Sequence, residues 1–245
     1  MASRPQIIKK PKLSKTGKER RLDPRGIARG GKTRVKTAKY RKTSSTRWLQ
    51  RQLNDPYVAA AKRDGYRSRA AYKIIELDEK FGFLHGAKSV VDLGAAPGGW
   101  TQVAAKQCAA NVSIVGIDLL EVDPVAGAQM LKMDFSTDET EQALLDMIDG
   151  PVDLVMSDMA AATTGHQNTD YIRTQGLVEL AFDFAKKVLG KNGIFVAKVF
   201  AGGTDNILVA DLKKHFKSVR HFKPPASRSE SKETYLVAQG FKAGV

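Results

Sequence analysis

The sequence predicts an α/β fold with a mostly parallel, doubly wound sheet, an antiparallel C-terminal edge and a disordered basic N-terminal tail. Three observations support this prediction. Short apolar segments alternate with longer helical patterns, a glycine-rich turn follows the first apolar segment, and a very basic segment of 42 residues precedes them all. Alternating strands and helices are typical of parallel sheets, because each return to a parallel strand needs a crossover connection, usually a helix.

Two helices are predicted ahead of the sheet. Ser45 or Thr46 could cap the first, whose apolar residues include Trp48. Ser68 could cap the second, which is apolar at several positions over 71–77. Serine and threonine are favoured at helix N-termini because their side-chain oxygen accepts from a backbone N–H that has no partner within the helix.

The first strand–helix unit contains the glycine-rich turn. Residues 90–93 (VVDL) are predicted to form a buried strand, residues 94–99 the turn, and residues 100–109 a helix. A second strand over 114–117 ends at Asp118. Ligands of doubly wound sheets bind beyond the C-terminal ends of the strands, at the point where the strand order switches. We therefore expect a ligand site near the turn and Asp118.

The C-terminal half continues the alternation. Its predicted elements are strand 152–157, helix 171–189, strand 194–200, helix 205–216, and strands 218–223 and 234–241. Gly190 and Gly193 fit the C-terminal turn of the first of these helices. The last two strands are expected to supply the antiparallel edge.

The charge distribution divides the chain into a tail, 1–42, and a domain, 43–245. The tail holds sixteen basic and two acidic residues, which accounts for the whole net charge of +14, so the domain is formally neutral. The tail shows neither strand nor helix periodicity and is predicted to be disordered. It is either an inert solvated segment or an electrostatic anchor for RNA, because neutralising phosphates releases counterions.

The composition excludes several classes of protein. No apolar run approaches the roughly 18 to 20 residues that span a bilayer, and no apolar segment of a signal peptide follows the basic N-terminus. The single cysteine, Cys108, excludes an internal disulfide or a cysteine-rich zinc site, and the four histidines form no closely spaced pair. We expect a soluble, non-secreted protein without a membrane segment or a metal.

Three features at successive strand ends together suggest S-adenosyl-L-methionine, an adenosine ligand without phosphates. The glycines at 94, 98 and 99 depart from the dinucleotide spacing G-x-G-x-x-G. Asp118 lies 24 positions after Gly94, near the spacing at which an acidic residue reaches a ribose diol. Asp134 falls near the expected end of a third strand, where its carboxylate could accept from an adenine amino group. Alone, the glycines could form a tight turn and either aspartate could cap a helix.

Three sequence motifs resemble the FtsJ/RrmJ family of ribosomal RNA 2′-O-methyltransferases. They are VVDLGAAPGGW (90–100), SDMA (157–160) and VAKVF (196–200), and the similarity runs from about Ser45 to the C-terminus. The resemblance implies a class I AdoMet-dependent methyltransferase (Rossmann-like) fold. It implies cofactor contacts at Gly98, Trp100, Asp118, Asp134 and Asp158. Without the family, Trp100 is better interpreted as a core aromatic residue.

The resemblance also implies a catalytic tetrad of Lys73, Asp158, Lys198 and Glu233. One of the four stands out from the residues alone, because Lys198 interrupts an otherwise apolar strand and lysine is seldom buried without a partner. Following the family, Lys198 is expected to accept the proton of the 2′-hydroxyl group. A free lysine is mostly charged at neutral pH, so either the pKa of Lys198 must fall or its proton must leave first.

One stretch departs from the family pattern. Members of the family often have Asp-Met-Ala-Pro-Asn after the strand, whereas this chain continues from Asp158 to Ala161 and Ala162. The missing amide at position 162 is expected to change a substrate contact or the rigidity of the loop, while the tetrad stays intact.

Charged residues of the domain are segregated along the sequence. Residues 47–73 and 213–233 are rich in lysine and arginine and each ends at a tetrad residue, whereas residues 118–183 hold fourteen acidic and two basic residues. Solvated helix faces could explain either basic segment alone. Their joint placement favours a rim that binds RNA phosphates and positions the RNA without reading its sequence.

The resemblance implies methyl transfer from S-adenosyl-L-methionine to the ribose 2′-hydroxyl group of a uridine in 23S ribosomal RNA of the large (50S) subunit. We expect the protein to act as a monomer in the cytoplasm. Two alternatives remain open: a tRNA 2′-O-methyltransferase with the same chemistry, and a ribosome-assembly factor that binds RNA without catalysis. The tetrad argues against the second.

Overall fold

The computed structural model describes residues 33–162, 164–200 and 206–244. Its helices are α1 (Thr43–Leu53), α2 (Pro56–Asp64), α3 (Ala71–Phe81), α4 (Gly99–Gln107), α5 (Asp138–Met147), α6 (Gln167–Val188) and α7 (Asn206–His215), with a 3₁₀ turn at Ala38–Tyr40. Its strands are β1 (Ser89–Leu93), β2 (Ser113–Asp118), β3 (Ala128–Lys132), β4 (Val152–Ser157), β5 (Leu189–Phe200), β6 (Phe216–Phe222) and β7 (Glu233–Phe241). None of the described helices is long and apolar enough to cross a membrane.

The chain divides into two units, Met1–Ala60 and Ala61–Val245. In the first unit, the backbone N–H groups of Thr33 and Val35 donate to the side chains of Asn54 and Gln50, at 2.7 and 3.1 Å. Thr33 and Val35 are therefore attached to the end of α1, within the segment that the sequence predicts to be a disordered tail. Residues 1–32 of that tail lie outside the described residues.

Two predicted helix caps are wrong. Helix α1 begins at Thr43 after Lys42, without a side-chain cap, so neither Ser45 nor Thr46 caps it. Helix α3 follows Ala70, and the Oγ of Ser68 is buried with no hydrogen-bond partner among the described residues. Ser45, Thr46 and Ser68 are residue types that are common at helix N-termini, but the two helices begin after Lys42 and Ala70 instead.

The second unit contains a seven-stranded sheet with the order β3-β2-β1-β4-β5-β7-β6. Strands β1 to β5 pair in parallel, and β7 pairs antiparallel with both β5 and β6. This confirms the predicted parallel sheet with an antiparallel C-terminal edge. The order switches at the neighbouring strands β1 and β4, where Leu93 lies beside Ser157. Both strands end there, which places a ligand site at this edge of the sheet.

Gly190 and Gly193 lie inside β5, so their predicted place in the C-terminal turn of α6 is wrong. The chain is already extended at Leu189, which pairs with Val152 of β4. The register with β4 shifts after this pair. A Cβ atom on Gly190 would lie only 2.8 Å from the Cβ of Pro151, so this irregular start of β5 needs a glycine there.

The main hydrophobic core packs helix α6 against the sheet. Phe182 of α6 is buried, and its ring centroid lies 5.8 Å from that of Phe195 in β5 and 6.2 Å from that of Phe216 in β6. One aromatic side chain therefore holds α6 against both the parallel part and the antiparallel edge of the sheet.

We expect Phe182→Ala to lower the free energy of unfolding by about 3–5 kcal/mol, because it removes a buried ring and leaves a cavity. Ile172→Ala is a matched control on the same helix: its side chain is 66% exposed, so the loss should stay within about 0.5 kcal/mol. Urea denaturation of both variants measures the difference. Equal losses would contradict the assignment of this core.

Candidate active site

A cavity of about 380 Å³ lies at the C-terminal ends of the strands, within the size range of small-molecule sites. Its lining follows the strand ends: Gly94 and Ala96 after β1, Ile117 to Leu119 at the end of β2, Met133 to Ser136 after β3, Asp158 to Ala160 after β4, with Leu177 of α6 and Lys198 of β5. The three predicted aspartates therefore line one cavity, together with one of the two predicted catalytic lysines.

The first turn of the cavity brings two strand ends into close contact. The backbone N–H groups of Gly94 and Ala95 both donate to the carbonyl of Ile117, at 2.9 and 3.0 Å. Gly94 has a φ of +79°, and a Cβ atom there would lie 2.7 Å from the side chain and 2.9 Å from the backbone nitrogen of Met159. Only glycine allows this approach of the β1 and β4 loops.

Asp118 presents a carboxylate in a fixed orientation. Its Oδ2 accepts from the backbone N–H of Ala96 at 2.9 Å and its Oδ1 from that of Leu120 at 2.8 Å. A carboxylate oxygen can accept more than one hydrogen bond, so both oxygens can still accept from a hydroxyl group. The geometry suits a vicinal diol.

Asp134 lies on the exposed side of the cavity. Its Oδ1 accepts from the backbone N–H and the hydroxyl group of Ser136, at 2.9 and 2.7 Å. These hydrogen bonds, led by the backbone N–H, lower the pKa of Asp134 below its ordinary value. The carboxylate is therefore charged at neutral pH and available as an acceptor.

Gly98, a predicted cofactor contact, does not line the cavity. It has a φ of +100°, and a Cβ atom there would lie 2.6 Å from Nη1 of Arg67. That guanidinium donates to the carbonyls of Pro97, Asp123 and Pro124. Gly98 thus leaves room for an arginine that ties the turn after β1 to the loop after β2.

Trp100, the other predicted contact in this motif, is also absent from the lining of the cavity. Its indole N–H donates to the carbonyl of Ala70 at 2.9 Å, and its ring lies 5.6 Å from the ring of Tyr235. The side chain is only 3% exposed. In this structure Trp100 supports the start of α3 and the Tyr235 ring.

The four predicted catalytic residues form one cluster. They come from α3, the residue after β4, β5 and the first residue of β7. Lys73 Nζ lies 2.9 Å from Glu233 Oε1 and 3.7 Å from Asp158 Oδ2. Lys198 Nζ lies 3.1 Å from Asp158 Oδ1 and donates to the backbone carbonyl of the same residue. Two cations and two anions thus balance in a largely buried site.

Asp158 is the link between the two lysines. Burial raises the pKa of this carboxyl group, but the Lys198 and Lys73 cations and the Tyr235 hydroxyl group outweigh that effect and hold the pKa below its ordinary value. The carboxylate is therefore ionised at neutral pH. Its removal would take away the carboxylate that pairs with Lys198 and leave Lys73 with Glu233 in a largely buried site.

Tyr235 is a member of the cluster that the sequence did not reveal. Its Oη lies 2.8 Å from Asp158 Oδ1, to which it donates, and 3.3 Å from Glu233 Oε1. Burial and the two carboxylates raise its pKa well above the ordinary value, so it remains a protonated donor. A signal was present: Tyr235 follows Glu233 by two residues on a strand, and such residues share one face of the sheet.

The segment before Glu233 is held by side chains of the second unit. Ser227 Oγ donates to Glu233 Oε1 at 2.9 Å, and Glu76 accepts from the backbone N–H of Ala226 at 2.6 Å. Two cations also bind carbonyls of this segment: Arg69 donates to Ala226, and Lys223 donates to Ser229 and Ser231. These cations and Arg67 belong to the basic segments that are predicted to form an RNA-binding rim, and in this structure each donates to backbone carbonyls of loops around the site.

Asp92 of β1 is fully buried. It precedes Gly94, a lining residue of the cavity, by two residues along the chain. Its Oδ2 accepts from Thr101 Oγ1 at 2.6 Å, and its Oδ1 has no hydrogen-bond partner among the described residues. Burial raises the pKa of Asp92 to about 7, although the hydrogen bond from Thr101 acts in the opposite direction. Its proton therefore titrates near neutrality.

No group of three or more His, Cys, Asp or Glu side chains that could hold a metal ion occurs in the part of the chain that the structure describes.

Comparison with known proteins identifies relatives of the whole second unit. Residues 66–241 match the model of the FtsJ-like methyltransferase family. A protein from Novosphingobium aromaticivorans, named ribosomal RNA large subunit methyltransferase E, is 63% identical over 85% of this chain and 94% of its own length. A protein of the same name from Erythrobacter litoralis is 62% identical over 88% of this chain and 99% of its own.

A solved structure supports the same relationship. The crystal structure of a ribosomal RNA methyltransferase from Plasmodium falciparum superposes with a TM-score of 0.64 at 31% sequence identity. The match covers 72% of this chain and 98% of the other.

The titration of Asp92 predicts a pH dependence of stability. The pKa of Asp92 in the folded state, about 7, lies above the ordinary 3.8, so the folded state binds this proton more tightly than the unfolded state does. The stability that the bound proton contributes is lost as the pH rises towards 7. Asp92→Asn removes the titration. The stability of the wild type relative to this variant should fall by about 2–3 kcal/mol between about pH 5 and about pH 8, because one pKa unit corresponds to about 1.4 kcal/mol.

Urea denaturation across this pH range measures the difference. Asp149→Asn, at an exposed carboxylate, is the matched control and should show no such pH dependence. A constant difference between the wild type and Asp92→Asn would show that Asp92 has an ordinary pKa.

Proposed function

Since the chain belongs to the FtsJ-like methyltransferase family, we propose that it transfers a methyl group from S-adenosylmethionine to the ribose 2′-hydroxyl group of a uridine in 23S ribosomal RNA. The observation that carries this proposal is the cluster of Lys73, Asp158, Lys198 and Glu233, two of whose members line the cavity. The cluster places the side-chain nitrogen of Lys198 at the wall of a cavity whose carboxylates suit a small cationic ligand.

The lining of the cavity fits S-adenosylmethionine. Carboxylates of Asp118, Asp134 and Asp158 face it, and Lys198 is the one cation among the described lining residues. Carboxylates attract the sulfonium and ammonium charges and accept from a ribose diol, whereas a phosphate-bearing ligand would be repelled. Apolar side chains such as Leu119 and Phe135 can pack against a purine ring. When bound, S-adenosylmethionine supplies an electrophilic methyl group.

The cluster can accept a proton and hold the RNA oxygen in place. The 2′-oxygen loses its proton as it bonds to the methyl carbon, while the bond from that carbon to sulfur breaks and S-adenosylhomocysteine is released. We assign Lys198 as the proton acceptor, a role for which its ammonium group must first release a proton to solvent. Asp158 fixes the position of Lys198, while Glu233 and Asp158 fix Lys73 beside it. Tyr235 donates to Asp158 and so prevents its carboxylate from rotating. Holding groups in a reactive geometry supplies a large part of enzymatic rate enhancement.

The substrate follows from the relatives. These relatives are named for ribosomal RNA of the large subunit, which favours this RNA over tRNA as the acceptor. The intact charge cluster argues against a factor that only binds RNA. We include in the proposal the 50S particle as the form of the substrate, a monomeric enzyme and a cytoplasmic location. Gly98 and Trp100 remain proposed cofactor contacts, although neither is among the residues that line the cavity in this structure.

Lys198→Ala is expected to reduce methyl transfer by at least about a hundredfold, the usual contribution of a positioned acid or base. The assay is transfer of labelled methyl groups from S-adenosylmethionine to purified 50S particles, free 23S RNA and bulk tRNA, with the modified nucleotide mapped. Lys191→Ala is the matched control, because Lys191 is an exposed lysine on the same strand.

The three substrates separate the alternatives. A 2′-O-methyluridine in particles or 23S RNA that disappears with Lys198→Ala supports the proposal. Label in tRNA alone would make the protein a tRNA methyltransferase, and no label with normal RNA binding would leave an assembly factor.

Asp118→Ala is expected to weaken S-adenosylmethionine binding on the order of tenfold or more, because it removes charge-assisted hydrogen bonds to the ribose and frees the N–H groups of Ala96 and Leu120. Isothermal titration calorimetry of the full chain measures the dissociation constant. Asp123→Ala serves as the control: it removes an exposed carboxylate from the following loop but keeps the carbonyl that Arg67 binds. Equal affinities for the wild type and Asp118→Ala would refute the ribose assignment.

A further inference from the structure

The N-terminal unit carries an unusual charge pattern in its described part. Residues 33–54 contain seven lysines or arginines and no aspartate or glutamate. These cations are Arg34, Lys36, Lys39, Arg41, Lys42, Arg47 and Arg51. Unlike the arginines and lysines that hold the active-site loops, most of them have exposed side chains.

The same segment exposes large aromatic side chains. Trp48 of α1 is 52% exposed and Tyr40, in the 3₁₀ turn before it, is 85% exposed. Tryptophan is usually well buried, because exposing its ring to water is unfavourable. Trp48, the largest apolar side chain of α1, therefore lies at the surface.

Helical geometry places Trp48 beside Arg51, which follows it by three residues on α1. Arg47 precedes Arg51 by four residues, so it is also a neighbour of Arg51, and the three side chains span less than half of the circumference of the helix. Both arginines are exposed. Like charges at this spacing destabilise a helix slightly, and a bound anion relieves the repulsion.

We propose that this face of α1 binds single-stranded RNA, with a base stacked on Trp48 and the adjoining phosphates bound by Arg47 and Arg51. The proposal rests on the proposed function, since it concerns the RNA that the enzyme modifies. Aromatic rings between cations are the pattern by which proteins hold single strands: the ring stacks on any base and the cations follow the backbone. The contact therefore adds affinity with little sequence preference.

The features of α1 favour RNA over an anionic membrane surface. A helix that lies in a membrane interface buries a broad apolar face. On α1 the turns beside Trp48 present Ser44, Gln52 and arginine, and Leu53 is the other large apolar side chain that it exposes. One exposed indole ring among cations suits one stacked base better than a lipid layer.

The tryptophan content makes the contact directly measurable. The chain has two tryptophans, Trp48 and Trp100, and Trp100 is only 3% exposed. Stacking on a base quenches indole fluorescence, so quenching of the full chain by RNA reports on Trp48. The probes are a short oligo(A) RNA and an abasic oligomer of the same length, which carries the same phosphates without bases.

We expect oligo(A) to quench the wild type and the abasic oligomer to bind with little quenching. Trp48→Phe should bind oligo(A) but lose the quenched signal. Trp48→Leu should bind oligo(A) on the order of tenfold more weakly and the abasic oligomer with unchanged affinity, because only the stacking contribution is removed. Trp48 is exposed, so neither variant should disturb the fold.

Three outcomes would overturn the proposal: no quenching at saturating oligo(A), equal oligo(A) affinity for the wild type and Trp48→Leu, or a fluorescence change with phosphatidylglycerol vesicles and none with RNA. Lys198→Ala separates this proposal from the proposed function. It should abolish methyl transfer and leave quenching intact. A wild-type protein that shows quenching but never transfers a methyl group would refute the enzymatic function alone.

Discussion

The carboxylate of Asp158, held between two lysine ammonium groups, is the interaction on which the site depends. It lies 3.1 Å from Lys198 and 3.7 Å from Lys73, and it accepts from Tyr235 at 2.8 Å. Helix α3 and strands β4, β5 and β7 each contribute a charged group to this point. Because unpaired charges are costly to bury, the four elements must meet in one arrangement for the charges to balance. The same requirement places Lys198 at the wall of the cavity.

The sheet and the tetrad could both be predicted from the sequence, for different reasons. Alternating apolar segments reveal strands, and the closing pair of strands at 218–223 and 234–241 revealed the antiparallel edge. The tetrad came from resemblance, since only Lys198 stands out by its own position in an apolar strand. The predicted helix caps and the predicted start of β5 were wrong. The preference of serine for a cap or of glycine for a turn is local, and at Ser68 and Gly190 packing against distant residues determines the structure instead.

The partners of the side chains that support the site could not be predicted, because they lie far away along the chain. Arg67 binds carbonyls of Pro97 and Pro124, and Tyr235 binds Asp158 across 77 positions. The backbone contacts of Arg67 and Lys223 could not be predicted from a count of basic residues either, because both side chains bind carbonyls of loops in their own unit. The exposed cations of residues 33–54 are a different group, with Trp48 among them. The basic residues of this chain therefore include two groups: those that bind backbone carbonyls around the site, and exposed ones in residues 33–54 that we propose to bind RNA.

The measurement that tests this account most directly is a crystal structure of the protein with S-adenosylhomocysteine, the product of methyl transfer. The account predicts the ribose hydroxyl groups on Asp118 and the adenine near Asp134, with the sulfur facing Lys198. The salt links of Asp158 to Lys73 and Lys198 should be unchanged. A ligand bound outside this cavity, or a sulfur turned away from Lys198, would contradict the claim that the charge cluster and the cavity form one active site.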